Sequence, residues 1–204
     1  MREKVTVLLI EDDLDFAALA GNRIDRDKRL SFVAHAPDKA SGVEMARRLE
    51  PDVAVVDLSL SGLDVGGHDG IEAARAIRVS TGSKVVFLTA HDEPTLMKAA
   101  SVTAFASGYL CKSQHQSICD EIYHAATAIT PQKAFIKELV LGALSPAERA
   151  VLDGIVEGRI KGGAERSPGP FGSSPKTIAN QRRIMLNKLG LKNVDELIHV
   201  FRNW

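Results

Sequence analysis

The segment Val5-Thr6-Val7-Leu8-Leu9-Ile10 is apolar at five of its six positions and runs straight into Glu11-Asp12-Asp13. A short, almost unbroken apolar run that ends in acids suits a strand buried on both faces of a parallel sheet. The pattern returns at residues 30–36, 53–56, 85–88 and 108–111, and the stretches between carry helical spacing, as in Phe16, Leu19, Ala20 and Ile24. Five strands alternating with helices predict a doubly wound α/β domain over residues 1–130, with a five-stranded parallel sheet. Ligands of such sheets collect beyond the carboxyl ends of the strands, where the strand order reverses. Those ends carry Glu11, Asp12 and Asp13 after the first strand, Asp57 after the third, Thr89 and Ala90 after the fourth, and Lys112 after the fifth.

Pro131 is expected to close the last helix of the first domain, and residues 131–144 read as a helical linker with Phe135, Ile136, Leu139 and Val140 at helical spacing. Ser145-Pro146-Ala147-Glu148 is a capping box with proline at the first helical position. Gly158 is placed to end that helix, Ser174-Pro175 opens another that runs to Gly190, and Asn193-Val194-Asp195-Glu196 offers a further capping box. A small all-α domain is expected over residues 145–204.

Composition sharpens this division. Across 204 residues, 45% hydrophobic and 25% charged, there is material for two small cores. The formal charge is zero overall, but residues 1–144 hold 16 Lys+Arg against 20 Asp+Glu and residues 145–204 hold 10 against 6, a split of −4 and +4. A basic tail points toward an anionic partner such as nucleic acid, or is simply a solvated basic face. The two cysteines, the lack of a cleavage-like N-terminal segment and the lack of a long apolar run suggest a reduced, soluble, cytoplasmic protein.

Carboxylates crowded into one crevice repel each other, and a divalent cation relieves them; Mg²⁺ is the natural candidate. A carboxylate at a strand end can attack phosphorus when a cation and a lysine neutralise the incoming oxygens. Asp57 fits that role, with Lys112 as counter-charge and the Thr89 hydroxyl as donor. Asp13 reads better as the N-cap of the first helix than as a ligand. Cys111, His115, Cys119 and His124 do not share a face that would hold zinc.

The segments VLLIEDD, VAVVDLSL, VVFLTA and GYLCKS, in this order, resemble the landmark segments of response regulator receiver domains, which have a flavodoxin-like fold. The resemblance implies that Asp57 is the phosphoacceptor, that Thr89 and Lys112 contact the phosphoryl group, and that Glu11, Asp12, Asp57 and the backbone carbonyl of Ser59 hold Mg²⁺. Tyr109 matches an aromatic switch position that moves inward as the threonine shifts, unless it is ordinary strand packing. Ser59 and His91 occupy positions that in the family tune loss of the phosphoryl group. Two departures stand out. Asp69-Gly70 lies twelve residues after Asp57 where the family has seven, and the segment from Thr89 to Tyr109 is one residue longer than the family's, with Phe105 as a bulky addition.

In the tail, LSPAERAVLDGIVEG followed by KTIANQRRIMLNKLG resembles the LuxR-type helix-turn-helix of NarL/FixJ-type regulators. Residues 176–192 contain five basic residues and no acid, with Ile178, Met185 and Leu189 on the opposite face. By the resemblance Ala179, Asn180 and Arg183 face bases, Lys176, Thr177 and Lys188 hold phosphates, Arg182 adds to the basic surface, and residues 195–202 supply a dimer contact. The supporting helix of the motif is interrupted by Gly162-Gly163 and Ser167-Pro168-Gly169-Pro170; glycines cost about 1 kcal/mol each relative to alanine, and the proline run stops a helix.

The leading expectation is a two-component response regulator, phosphorylated at Asp57 by a sensor histidine kinase or a phosphotransfer protein. It controls DNA binding and transcription as a homodimer, without a membrane partner. It is not an enzyme beyond self-directed phosphotransfer and dephosphorylation at Asp57. The alternative is a signalling module or phosphate sink whose altered helix-turn-helix binds protein instead of DNA. A hydrolase of small phosphate esters is disfavoured, since Ser59 stands where a second acid would be needed.

Overall fold

The computed structural model describes residues 4–60, 68–90, 93–160, 174–202 and 204. The inserted loop after Asp57 (residues 61–67), His91 and the interrupted helix at 161–173 lie outside them. The chain forms two compact units, residues 1–136 and 137–204.

In the first unit the strands are β1 (Val5–Ile10), β2 (Leu30–Ala36), β3 (Val53–Asp57), β4 (Lys84–Thr89) and β5 (Gly108–Cys111). All pair in parallel, in the order β2-β1-β3-β4-β5, so the order reverses between β1 and β3. The apolar runs are continuous because both faces are covered. Leu8, Ile10, Ala54, Val56, Val85 and Phe87 face one side, under α2 (Lys39–Leu49), α3 (His68–Thr81) and α4 (Pro94–Ala104). Val7, Leu9, Val53, Val55, Val86 and Leu88 face the other, under α1 (Leu14–Arg26) and α5 (Ile118–Thr127). Alternate residues of each strand thus serve opposite layers. Asp13 is the N-cap of α1, its Oδ1 accepting the N–H groups of Asp15 and Phe16, each at 3.0 Å.

Pro131 opens a helix instead of closing one: α5 ends at Thr127, and α6 spans Pro131–Leu141. Proline lacks the N–H that a first helical residue leaves unpaired anyway, which suits it to this start. The boundary between the two units falls within α6.

The second unit contains α7 (Pro146–Val156), α8 (Pro175–Leu189) and α9 (Val194–Phe201). Ser145 and Glu148 form the reciprocal capping box, and Gly190, at φ 63°, ends α8 in the left-handed region. Asn193 caps α9 from Glu196 N–H, but Glu196 returns its carboxylate to the N–H of Lys192 instead of to the cap residue itself. Ile178, Met185, Leu189, Leu197, Val200 and Phe201 are buried within this unit. Among the described residues no helix is long and apolar enough to cross a membrane.

Candidate phosphoacceptor site and helix surface

The carboxyl ends of β1, β3, β4 and β5 bring the predicted polar residues together. Glu11 is fully buried and Asp57 nearly so, while Asp12 is exposed. Each of the three offers a carboxylate oxygen within 4.8 Å of the others, the one such group of potential metal ligands among the described residues. Lys112, entering from the end of β5, places Nζ 2.8 Å from Asp57 Oδ2 and 2.8 Å from Glu11 Oε1. Thr89 is buried at the end of β4 and pairs in register with Cys111, the residue before Lys112. Ser59 is exposed and directs its N–H to Asp57 Oδ1 at 3.3 Å.

Three carboxylates against one ammonium leave two negative charges, which matches one divalent cation. The donors are hard oxygens, as Mg²⁺ requires, and the buried Glu11 Oε2 makes no well-aligned hydrogen bond, the Lys112 ammonium lying beside it with Nζ 2.7 Å away. The residues present therefore fit a divalent cation.

Burial pushes the Glu11 carboxyl from 4.5 up to about 7, with the neighbouring Asp57 charge adding to it and Lys112 opposing it. Burial works against the Lys112 charge as well, but the bonds to Asp57 and Glu11 outweigh it and raise its pKa. In the absence of divalent cation, folded Glu11 holds its proton between pH 4.5 and about 7 while the unfolded chain has released it. Stability is therefore expected to fall as pH rises through that window. Thermal melts in chelator should show this decline, and Glu11→Gln should remove its share of the slope; an unaltered slope in the variant would contradict the assignment.

Tyr109 lies on β5, the edge strand, with its side chain exposed, and its backbone is bridged by a side chain from the start of α6. Its N–H donates to Gln132 Oε1 at 2.9 Å, and Gln132 Nε2 donates to its carbonyl at 3.4 Å. Gln132 thus occupies the place of a neighbouring strand. Phe105, the bulky addition, is buried in the left-handed region at φ 55° under the guanidinium of Arg75.

Residues 7–123 match the family model of the response regulator receiver domain. The chain belongs to this family. Relatives of this response regulator include the methanol utilization control regulatory protein MoxX of Paracoccus denitrificans, 29% identical, with 94% of this chain and 88% of the relative covered. The response regulator UvrY of Escherichia coli strain K12 is 29% identical, with 96% and 93% covered. In fold, the chain resembles RcsB of Salmonella enterica serovar Typhimurium, solved bound to promoter rprA with the phosphomimetic BeF₃⁻. That likeness has a TM-score of 0.54 at 20% identity and covers 97% of this chain and 98% of that one. The architecture is a flavodoxin-like receiver followed by a small helical domain, as the sequence pattern predicts.

In the response regulator's second unit, Lys176, Thr177, Ala179, Asn180 and Arg183 are exposed on α8, and Arg182 is half-buried. Thr177 also serves the cap of α8, its N–H donating to Ser174 Oγ. Lys188 is placed differently from the rest: its Nζ lies 2.8 Å from Oε2 of Glu148, the buried capping-box acid of α7. Burial opposes the Glu148 charge, but Lys188 and the Ser145 N–H prevail and hold the carboxyl below its usual range. This ion pair fastens α8 to α7. The sequence reading missed it, although a glutamate in a capping box on an otherwise apolar helix face is a signal that a counter-charge must come from elsewhere. It also missed Phe16, whose ring lies against Lys112.

Proposed function

We propose that Asp57 accepts a phosphoryl group from a sensor histidine kinase or phosphotransfer protein, and that the phosphorylated protein acts as a homodimer whose α8 helices bind DNA to control transcription. The observation that carries this reading is the placement of Lys112 Nζ at 2.8 Å from both Asp57 and Glu11, at the strand ends where the sheet order reverses. In the transfer an Asp57 carboxylate oxygen forms a bond to phosphorus as the bond from phosphorus to the donor's imidazole nitrogen breaks, and the freed imidazole takes a proton from solvent. Lys112 compensates the phosphoryl oxygens, and the Thr89 hydroxyl donates to one of them. Glu11, Asp12, Asp57 and the Ser59 carbonyl would hold Mg²⁺, which when bound supplies further positive charge to the same oxygens. Proton release from Glu11 on loading should flatten the decline of stability with pH.

The exposed row Lys176, Asn180 and Arg183 on α8, opposite the buried Ile178 and Met185, supports DNA as the partner of the second unit. Selection from a random duplex pool, with the full chain treated with a small acyl phosphate and Mg²⁺, should yield a preferred sequence bound in a salt-sensitive manner. Arg183→Ala is expected to weaken specific binding by about tenfold or more. Lys176→Ala should weaken binding to all sequences and lower the salt slope by about one. Absence of any binding at low salt, with or without the phosphodonor, would overturn the DNA reading.

A further inference from the structure

Lys112 is engaged on three sides. Two are the carboxylates of Glu11 and Asp57. The third is the face of Phe16, whose ring centroid lies 4.8 Å from Nζ. An ammonium within about 6 Å of an aromatic centroid is attracted by the ring quadrupole, more strongly where water is excluded, and the Lys112 side chain is only 18% exposed.

The ring is held there by the acidic loop itself. Asp13 Oδ1 accepts the Phe16 N–H at 3.0 Å, the Asp13 N–H donates to Glu11 Oε1 at 3.1 Å, and that same oxygen accepts from Lys112. The circuit runs from Lys112 through Glu11 and Asp13 to Phe16 and returns to Lys112 through the ring. His115 braces it from outside. Its ring meets Phe16 edge-on, with centroids 6.4 Å apart and planes at 83°, and its Nδ1 is 3.1 Å from the Lys112 carbonyl oxygen.

We infer that Phe16 is a positioning residue for phosphoryl transfer, holding the Lys112 ammonium over Asp57 through its ring face; the inference rests on the roles proposed for Asp57 and Lys112. An ammonium has three donors and no acceptor. A water or a further carboxylate at the place of the ring would take a donor, whereas the ring attracts the charge and leaves the N–H groups to the oxygens. The distinction matters at the moment of transfer. The Asp57 oxygen that forms the acyl phosphate loses its charge, and Lys112 must turn to the phosphoryl oxygens. The ring face is an uncharged partner that stays the same before and after, so the cation pivots on it without being released to solvent.

The test compares full-length wild type with Phe16→Leu, which keeps an apolar side chain, and Phe16→Tyr, which keeps the aromatic face. Phosphoryl uptake from acetyl phosphate with Mg²⁺ is followed by intact mass, and the Lys112 ε-methylene protons are followed by NMR. Phe16→Leu is expected to lower the rate at saturating donor by about tenfold and to remove the upfield ring-current shift of the Lys112 ε-methylene. Phe16→Tyr should preserve both, with a rate within about twofold of wild type. A wild-type rate in Phe16→Leu, equal loss in Phe16→Tyr, or a Lys112 resonance indifferent to the ring would each overturn the inference. A wild type that takes up no phosphoryl group would instead sink the Asp57 reading, and the inference with it.

Discussion

Asp57→Asn is expected to take up no detectable phosphoryl group from acetyl phosphate and Mg²⁺, under conditions in which the wild type gains the mass of one. The amide has nearly the shape of the carboxylate, so the nearly buried position at the end of β3 stays filled. It lacks the anionic oxygen that attacks phosphorus, and no neighbour replaces it. Glu11 is buried and bonded to Lys112 and to the Asp13 N–H, and Asp12 lies in the exposed loop. Loss of the nucleophile is the largest change available at such a site, because the remaining groups only stabilise charge that no longer develops. Intact mass spectrometry checks the outcome, with circular dichroism to verify the fold. Equal mass gain in both proteins would overturn the assignment of Asp57.

Gly70→Ala is expected to destabilise the first unit by about 3 kcal/mol and to slow phosphorylation at the same time. Gly70 is the third residue of α3, where the helix passes directly over the end of β3. A Cβ there would lie 2.5 Å from the Leu58 carbonyl oxygen and 2.6 Å from Leu58 Cα, and nearer still to the carbonyl oxygen of Asp57. These are backbone atoms and cannot rotate aside. Either α3 lifts its buried Ala73, Ala74 and Ile77 away from the sheet, or the backbone carrying Asp57 shifts. Gly42→Ala is the control. The nearest atoms to a Cβ there are all in the Ile10 side chain, Cδ1 at 2.7 Å and Cγ1 and Cγ2 at 3.0 Å, which can shift where backbone cannot, so a smaller loss of about 1–2 kcal/mol is expected. Denaturant unfolding measures both variants. Equal losses in the two, or a normal phosphorylation rate in Gly70→Ala, would show that the close passage of α3 over β3 does not shape the site.

Much of the molecule is legible locally. The central strands are recognisable because a strand covered on both faces must be apolar at nearly every position, and β1, β2 and β5 begin and end where the apolar runs do. Glu11, Asp57, Thr89 and Lys112 stand out because polar groups at strand ends need solvent or a use. Asp13 is recognisable as a cap from its place before an amphipathic stretch, and Ser145-Pro146 from the capping box. Pro131 was harder, since proline is compatible with the residues after one helix and with the first turn of the next; the observed start of α6 at Pro131 settles that choice.

The sequence by itself determined the alternation of strands and helices, the order of the polar strand ends and the basic, one-sided character of α8. These follow from backbone propensity and burial period, which are properties of neighbouring residues. Only the tertiary structure decided which side chains meet. Lys112 and Glu11 are separated by 101 residues, Lys188 and Glu148 by 40, and Tyr109 and Gln132 by 23. A phenylalanine at helical spacing reads as core whether or not a lysine ends above its ring, and a lysine on a basic helix reads as a phosphate contact whether or not a buried glutamate claims it. Such pairings depend on how packed layers bring distant segments together, and the periodicity of one segment carries no information about the charge that another will place against it.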